Sequence, residues 1–471
     1  MSAQRVSILL AVFYLILTLL SIDHVFFGDM VQFGSRHAHF FYETNFSTFW
    51  LPNHLDSGHP PLFGMYIAFL WKLFGKSLAV SHLAMLPFLM VLAYAIPKTL
   101  ELFVNRAWLL PCSLLIFFEP TLLSQSALTS PDIILISFFL LNIYYVVKKN
   151  YFKLSLFLIP MSFVSMRGMM VLFALFLGLF VFQMIVEKKL FHSQWKHLVY
   201  TFAPAAVISA AWLFAHYLQT GWIGFHSNSP WSSSFETVGI AAVIKNLMLM
   251  LWRFVDFGRI SLWIVLIYFL IKFYKQLDRF SYRLISVFTS LILVFSINTS
   301  FADGLVGHRY YMPVYLLGIL ICIGLIQSEK HFSKLIILVF SSFIIGSFMV
   351  YPPTIAMGWD ATPAHFNYYS LRDNLLKFIQ KNNIEINNVA AGFPNIDSQE
   401  ILSLNGDTSR FQSYHLKNTD YILWSNVFNY PDELITEIQN YELIYEEKKR
   451  GVFMRLYKIK KNDLQQSTID Y

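Results

Sequence analysis

Apolar stretches of about 17–25 residues, the length a helix needs to cross the hydrocarbon of a bilayer, recur along most of this chain. They fall near residues 6–22, 77–97, 107–119, 131–147, 153–166, 168–186, 197–219, 259–274, 281–298, 310–327 and 333–351. No arrangement of eleven such stretches buries them all inside a soluble domain. The charge content agrees: 13% of the residues are Asp, Glu, Lys or Arg, against about a quarter in soluble domains. The fold expected is an all-α polytopic membrane domain of about eleven spans.

The connections between spans set an orientation. Lys and Arg collect in short cytoplasmic loops. With Arg5 placed inside, alternate connections carry Lys98 and Arg106; Lys148, Lys149 and Lys153; Lys188, Lys189 and Lys196; Lys272, Lys275, Arg279 and Arg283; and Lys330 and Lys334. The expected protein is a multi-pass protein of the plasma (inner) membrane, with a cytoplasmic N-terminus and an extracytoplasmic C-terminal domain. The net charge of +7 is mostly topological, because residues 1–351 hold 23 of the 35 basic and 13 of the 28 acidic side chains. Nothing gathers basic residues on one soluble face, which argues against nucleic acid as a partner. Cys112 and Cys322 both fall in apolar spans and suggest no disulfide framework. The first span runs into Asp23-His24 without a small-residue cleavage site, so it is expected to stay as an anchor.

Composition changes at Tyr351-Pro352-Pro353, giving a transmembrane domain over 1–352 and an extracytoplasmic domain over 353–471. In the second, helical periodicity is expected over 367–382 and 432–439, and strand alternation over 389–393, 421–424, 441–445 and 452–459. This reads as a small α/β domain with no catalytic signature. Residues 240–259 carry Lys245, Arg253, Asp256 and Arg259, too many charges for a clean span, and read as an amphipathic helix lying on the outer leaflet.

The acidic residues of the membrane part divide by side. Asp23, Asp29, Glu43, Asp56, Glu119, Asp132, Glu236, Asp256 and Asp303 all fall outside, several at the end of a span. Ionisable groups beside hydrocarbon are costly and are usually paired or functional. The first outer loop, 23–76, is the richest, with Asp29 and five histidines, His24, His37, His39, His54 and His59. With Asp56 these histidines make a divalent metal possible, although only His37-Ala38-His39 is closely spaced.

Three segments carry a resemblance. Asp29 follows the first span closely; Gly58-His59-Pro60-Pro61-Leu62 leads into Leu70-Trp71-Lys72-Leu73-Phe74-Gly75; and Ser130-Pro131-Asp132 opens a later helix. This layout resembles the dolichyl-phosphate-mannose protein mannosyltransferases and their bacterial relatives, including the aminoarabinose transferases of lipid A, all of the GT-C class. His308-Arg309-Tyr310-Tyr311-Met312-Pro313 is similar to that class's Arg-Tyr segment ahead of a late span. The resemblance covers about three quarters of the chain. It implies a GT-C-like fold, a polyprenyl-phosphate-linked sugar donor, inversion at the anomeric carbon and a catalytic aspartate at Asp29. Where many relatives carry a second acidic residue after that aspartate this chain has Met30, and where many have Lys before the double proline it has His59. Sugar and acceptor (glycan, lipid or protein) therefore stay open.

The chemistry fits those residue types. Transfer from a lipid phosphate needs a carboxylate to take the acceptor's proton and donors where charge gathers on the departing phosphate. Asp29 suits the first role; His59, Arg167 and Arg309 suit donor-phosphate binding, since Arg grips phosphate bidentately. Asp132 either positions the acceptor or only favours the helix dipole in a first turn, and the two arginines are equally suited to reaching lipid head groups. The chain is thus expected to be a membrane glycosyltransferase dependent on a polyprenyl-phosphate sugar and working on the outer face. The rivals are a transporter or flippase for lipid-linked saccharides and a glycan polymerase or ligase.

Overall fold

The computed structural model describes residues 1–186, 194–224, 226, 238–301, 307–353, 355, 358–415 and 419–459. Glu187, Lys188 and Lys189, most of the 220–239 loop with Glu236, Asp303, and the tail beyond residue 459 lie outside the described residues.

The protein is an all-α membrane domain with a small C-terminal sheet domain. Among the described residues seven helices are long and apolar enough to cross a membrane: Ala3–Leu20, Leu78–Leu100, Pro131–Lys148, Met166–Ile185, Trp195–Thr220, Arg279–Ser300 and His308–Ile326. Two further helix pairs are apolar enough together but sharply bent: Leu109–Phe117 meets Pro120–Ser126 at 71°, and Ile240–Val255 meets Ile260–Phe273 at 91°. The other two of the eleven expected spans are helices of only 13 and 15 residues, Tyr151–Phe163 and Phe332–Gly346. By length and composition the count is therefore seven, or nine with each bent pair taken as one span, rather than eleven.

Local chemistry sets where the helices carrying polar groups begin. Ser130 caps Pro131–Lys148 by accepting from the Asp132 N–H, and Pro131 occupies the first turn, where its missing N–H matters least. Ser165 caps Met166–Ile185 by accepting from the Gly168 N–H. A Cβ on Gly168 would stand 2.1 Å from the Met161 carbonyl oxygen, so the tight turn before this helix requires glycine. The residues 240–255 do form an amphipathic helix. Ile240, Ile244, Met248, Leu251, Trp252 and Val255 share an exposed apolar stripe.

The two breaks are bonded to each other. Glu119 caps Pro120–Ser126 through the Leu122 N–H at 2.7 Å, and its other oxygen accepts from Arg259 Nε at 2.8 Å and Nη2 at 2.5 Å. Both side chains are completely enclosed. Arg259 also donates to Thr121 Oγ1 and approaches Asp256 Oδ1 at 3.4 Å, while Asp256 Oδ2 pairs with His308 Nε2 at 2.7 Å and accepts from the Tyr351 hydroxyl at 2.7 Å. Each enclosed charge thus has a partner at a place where helical hydrogen bonding stops.

The C-terminal domain holds a five-stranded sheet, β1 Val389–Ala391, β2 Gln412–Ser413, β3 Tyr421–Trp424, β4 Glu442–Lys449 and β5 Val452–Lys458, in the order β2-β1-β3-β5-β4. β1 runs parallel to β2 and β3, and β5 is antiparallel to β3 and β4. The helix Phe366–Lys381 packs on β4 and β5. This matches the expected elements, with β2 and the short helix Gln399–Ser403 in addition. The domain grips the first loop: Phe26 N–H donates to the Leu402 carbonyl at 3.0 Å, Arg36 pairs with Asp397 at 2.7 Å, and Lys76 pairs with Glu400.

Removing one member of an enclosed ion pair leaves the other charge unpaired, at about 3–5 kcal/mol. Arg259→Met should therefore lower the thermal midpoint of the detergent-solubilised protein sharply, and adding Glu119→Gln should restore part of the loss. Equal midpoints for wild type and Arg259→Met would refute this account of the two bends.

Candidate active site

Gly28, at φ +59°, turns the chain past the end of the first helix in a conformation that favours glycine, and Asp29 follows it. Asp132 stands in the first turn of Pro131–Lys148, Arg167 in that of Met166–Ile185, and Arg309 in the short 3₁₀ turn His308–Tyr311 before Met312–Ile326. Helix ends scattered through the sequence thus deliver their polar residues to one place.

Arg309 lies at the centre. Its Nη2 donates to Asp29 Oδ2, its Nη1 to Asp360 Oδ2 at 2.8 Å, and its Nε approaches Asp132 Oδ2 at 3.6 Å. Arg167 Nη1 donates to Asp132 Oδ1 at 2.5 Å, and its guanidinium lies 4.2 Å from the centroid of the Tyr310 ring. Two guanidiniums therefore face three carboxylates. Burial raises the Asp360 pKa, Arg309 opposes that rise, and the charges of Asp29 and Asp132 add to it.

Two cavities meet here. The larger, about 400 Å³, is walled by Phe27, Lys245, Arg253, Trp359 and Phe393. The smaller, about 250 Å³, is walled by Phe33, His59, Met166, Arg167, Met170 and Phe295. Asp29 and Tyr310 line both. The Asp29 side chain keeps 22% of its surface exposed, whereas Asp132 keeps 4%. Of the three carboxylates held by Arg309, Asp29 is the one that faces both cavities.

His59 reaches the smaller cavity as a neutral ring. Burial, with the positive charge of Arg167 beside it, holds its pKa at about 3. Its Nδ1 accepts from the Met166 N–H at 3.3 Å, which leaves Nε2–H as the donor it can offer. It can bind an anion by a hydrogen bond without adding charge. Of the phenylalanines near Asp29, Phe33 lines the smaller cavity and Phe27 the larger, while Phe26 is buried.

Three of the other loop histidines serve packing, while His54 is exposed. His24 stacks on Tyr369 at 3.8 Å, His37 Nε2 bonds the Leu55 carbonyl at 2.8 Å, and His39 Nδ1 bonds the Ser35 carbonyl at 2.9 Å. Asp56 pairs with His216 at 2.9 Å. Among the described residues no group of three His, Cys, Asp or Glu side chains stands close enough to hold a metal ion.

Residues the sequence did not assign to the site complete it. Lys245 and Arg253 were legible in principle: with Leu249 they fall at i, i+4 and i+8, one face of a helix, and that face lines the larger cavity. Asp360 and Trp359 carried no signal, because they lie in the segment read as part of a domain without catalytic residues. Asp360 is fixed from both sides. Its carbonyl accepts from Ser124 Oγ at 2.7 Å and Gln125 Nε2 at 2.9 Å, and the neighbouring Trp359 Nε1 donates to the Asn426 carbonyl at 2.8 Å.

No protein-family profile and no curated protein sequence matches the chain. Solved structures do. ArnT from Cupriavidus metallidurans bound to undecaprenyl phosphate superposes with a TM-score of 0.53 at 10% identity, over 95% of this chain and 97% of that one. The apo state of the same protein gives 0.51 at 11% identity over the same shares. The likeness is one of fold, over nearly the whole of both chains, and it agrees with the expected helical membrane domain followed by a small C-terminal domain.

Acid should loosen the packing of the first loop. Burial above all holds His37 near 4 and His365, which packs on Phe27, near 3, both far below the ordinary 6.5. The unfolded chain takes up protons below 6.5 that these enclosed rings refuse. Stability is therefore full above that value and falls as pH drops toward 4, by about 1.4 kcal/mol per pH unit per ring. Thermal midpoints should decline from about pH 7 to about pH 5, less steeply in His365→Gln. A flat profile would refute the neutral-ring assignment.

Proposed function

We infer that the protein is a membrane glycosyltransferase that moves a sugar from a polyprenyl-phosphate carrier to a hydroxyl acceptor, at the end of the bundle assigned to the outer face by the charge pattern. The observation that carries this reading is the position of Asp29, a partly exposed carboxylate where two cavities of different chemistry join. The likeness in fold to a protein bound to undecaprenyl phosphate supports the choice of donor.

In this reading the acceptor oxygen attacks the anomeric carbon, the bond from that carbon to the phosphate oxygen breaks with inversion, and polyprenyl phosphate leaves with the electron pair. The acceptor's proton passes to Asp29 as the new bond forms. Arg167 and the Nε2–H of His59 bind the donor phosphate, and the isoprenoid runs along Phe33, Met166, Met170 and Phe295. Arg309 contributes to the field at the phosphate but is mainly engaged with carboxylates. Asp132 orients Arg167, with which it shares a short ion pair. The larger cavity, with Lys245 and Arg253 on its wall, receives the acceptor.

The polymerase or ligase reading shares this chemistry. A flippase would keep its polar groups near the bilayer midplane, whereas the cluster described above stands at helix ends.

Removing a general base typically lowers the rate by about 10²–10⁴-fold. Asp29→Asn should lose carrier release to that degree with undecaprenyl phosphate linked to mannose or to aminoarabinose, whichever the wild type turns over. Its thermal midpoint should stay close to wild type, because Arg309 retains Asp132 and Asp360. Turnover by Asp29→Asn at the wild-type rate would overturn the role.

A further inference from the structure

We propose that Asp360, supplied by the segment leading into the C-terminal domain, is a positioning residue: it anchors Arg309 by Nη1 and shares that guanidinium with Asp29, leaving Asp29 able to take a proton. The proposal rests on the role given to Asp29 above and adds a part for a region with no assigned chemistry.

The argument begins with geometry. Arg309 reaches Asp29 through Nη2 and Asp360 through Nη1, so both carboxylates draw on one delocalised charge. A carboxylate paired alone with an enclosed guanidinium is held strongly in its charged form and is a poor base. A second carboxylate on the other arm divides that attraction, and its own negative charge opposes the proton's departure from Asp29. The charged and titratable groups facing the pair are Asp132, Arg167, Tyr310 and His59 around the guanidiniums and Lys245 and Arg253 across the larger cavity. Among them Asp132 cannot take the same part, because its short bond goes to Arg167 and its distance to Arg309 is 3.6 Å.

The placement of Asp360 is also purposeful in a way that a solvated loop residue would not need. Its backbone carbonyl is gripped by two side chains of Pro120–Ser126, Thr121 Oγ1 donates to the next carbonyl at 3.0 Å, and Trp359 ties the segment to the sheet domain. These bonds use backbone atoms and the Trp359 indole, so they hold the Asp360 carboxylate at Arg309 whatever its charge. The segment leading into the C-terminal domain thereby fixes the guanidinium that pairs with Asp29, far away in the sequence.

The discriminating variant is Asp360→Asn, which keeps the shape, the backbone contacts and an oxygen to accept from Nη1, and removes one charge. The full-length protein is read in two ways. The infrared carboxyl signal that disappears in Asp29→Asn reports the titration of Asp29 without any turnover. It should move down by about one pH unit in Asp360→Asn, since one neighbouring charge a few ångströms away is worth roughly that at a partly exposed site. In the carrier-release assay with the same undecaprenyl-phosphate sugars, the acid limb of the pH profile should move in the same direction. kcat should fall about tenfold while KM stays within about twofold, and Asp360→Glu should recover part of kcat. An unmoved or upward-shifted Asp29 titration in Asp360→Asn overturns the proposal, and so does a loss carried by KM with the titration unchanged. Failure of the underlying reading looks different: Asp29→Asn would retain turnover, whatever Asp360→Asn does to the infrared titration.

Discussion

A guanidinium shared among carboxylates holds this structure together where its parts meet. Asp29 lies in the loop after the first helix, Asp132 opens a later one, and Asp360 belongs to the approach to the sheet domain, yet all three surround Arg309. Carboxylates this close cannot stay ionised together in a partly desolvated place without cations between them. The converse holds for Arg309, only 5% exposed, which no single acid would satisfy. Arg167 relieves the remaining imbalance by taking Asp132. Loss of Arg309 would therefore be felt by several elements, while the arrangement still leaves Asp29 an open side.

A second ionic network adjoins the first. Arg259, Glu119, Asp256 and His308 connect two broken helices, and His308 is the residue before Arg309. Where a helix breaks inside a membrane protein, freed backbone groups and nearby charges must be satisfied by protein. Glu119 does both at once, with one oxygen on the Leu122 N–H and the other on Arg259. The turn presenting Arg309 is thereby fixed from behind. Its orientation follows from the bends as much as from its own residues.

What could be read from the sequence was periodic or local. Apolar length gave the spans, and Ser130-Pro131-Asp132 read correctly as a helix start because capping depends on neighbours only. The strands of the C-terminal domain were visible for the same reason. The span count turns on short helices: Tyr151–Phe163 and Phe332–Gly346, read as spans, have only 13 and 15 residues, and the apolar run before Glu119-Pro120 continues as a new helix bent by 71°. Partnerships across long stretches of chain were not legible. Arg309 and Asp29 are 280 residues apart, and Glu119 and Arg259 are 140 apart. Nothing in the residues around Asp360 distinguishes it from the other acids of a soluble domain. Only folding makes it a neighbour of Arg309.

The two cavities explain why a reaction between a greasy donor and a polar acceptor would need this layout. A donor with an isoprenoid tail would come from the bilayer, and Phe33, Met166, Met170 and Phe295 offer that tail an apolar wall in exchange for lipid. An acceptor bearing hydroxyls needs groups of the kind found on the other wall, where Lys245, Asn246 and Arg253 line the space with Trp359. One cavity of mixed character would bind either substrate in competing poses. In the proposed reading, two cavities that share Asp29 and Tyr310 in their walls would give each reactant its own environment. The C-terminal domain takes part in that layout, because Phe393, Val427 and Asn429 line the larger cavity.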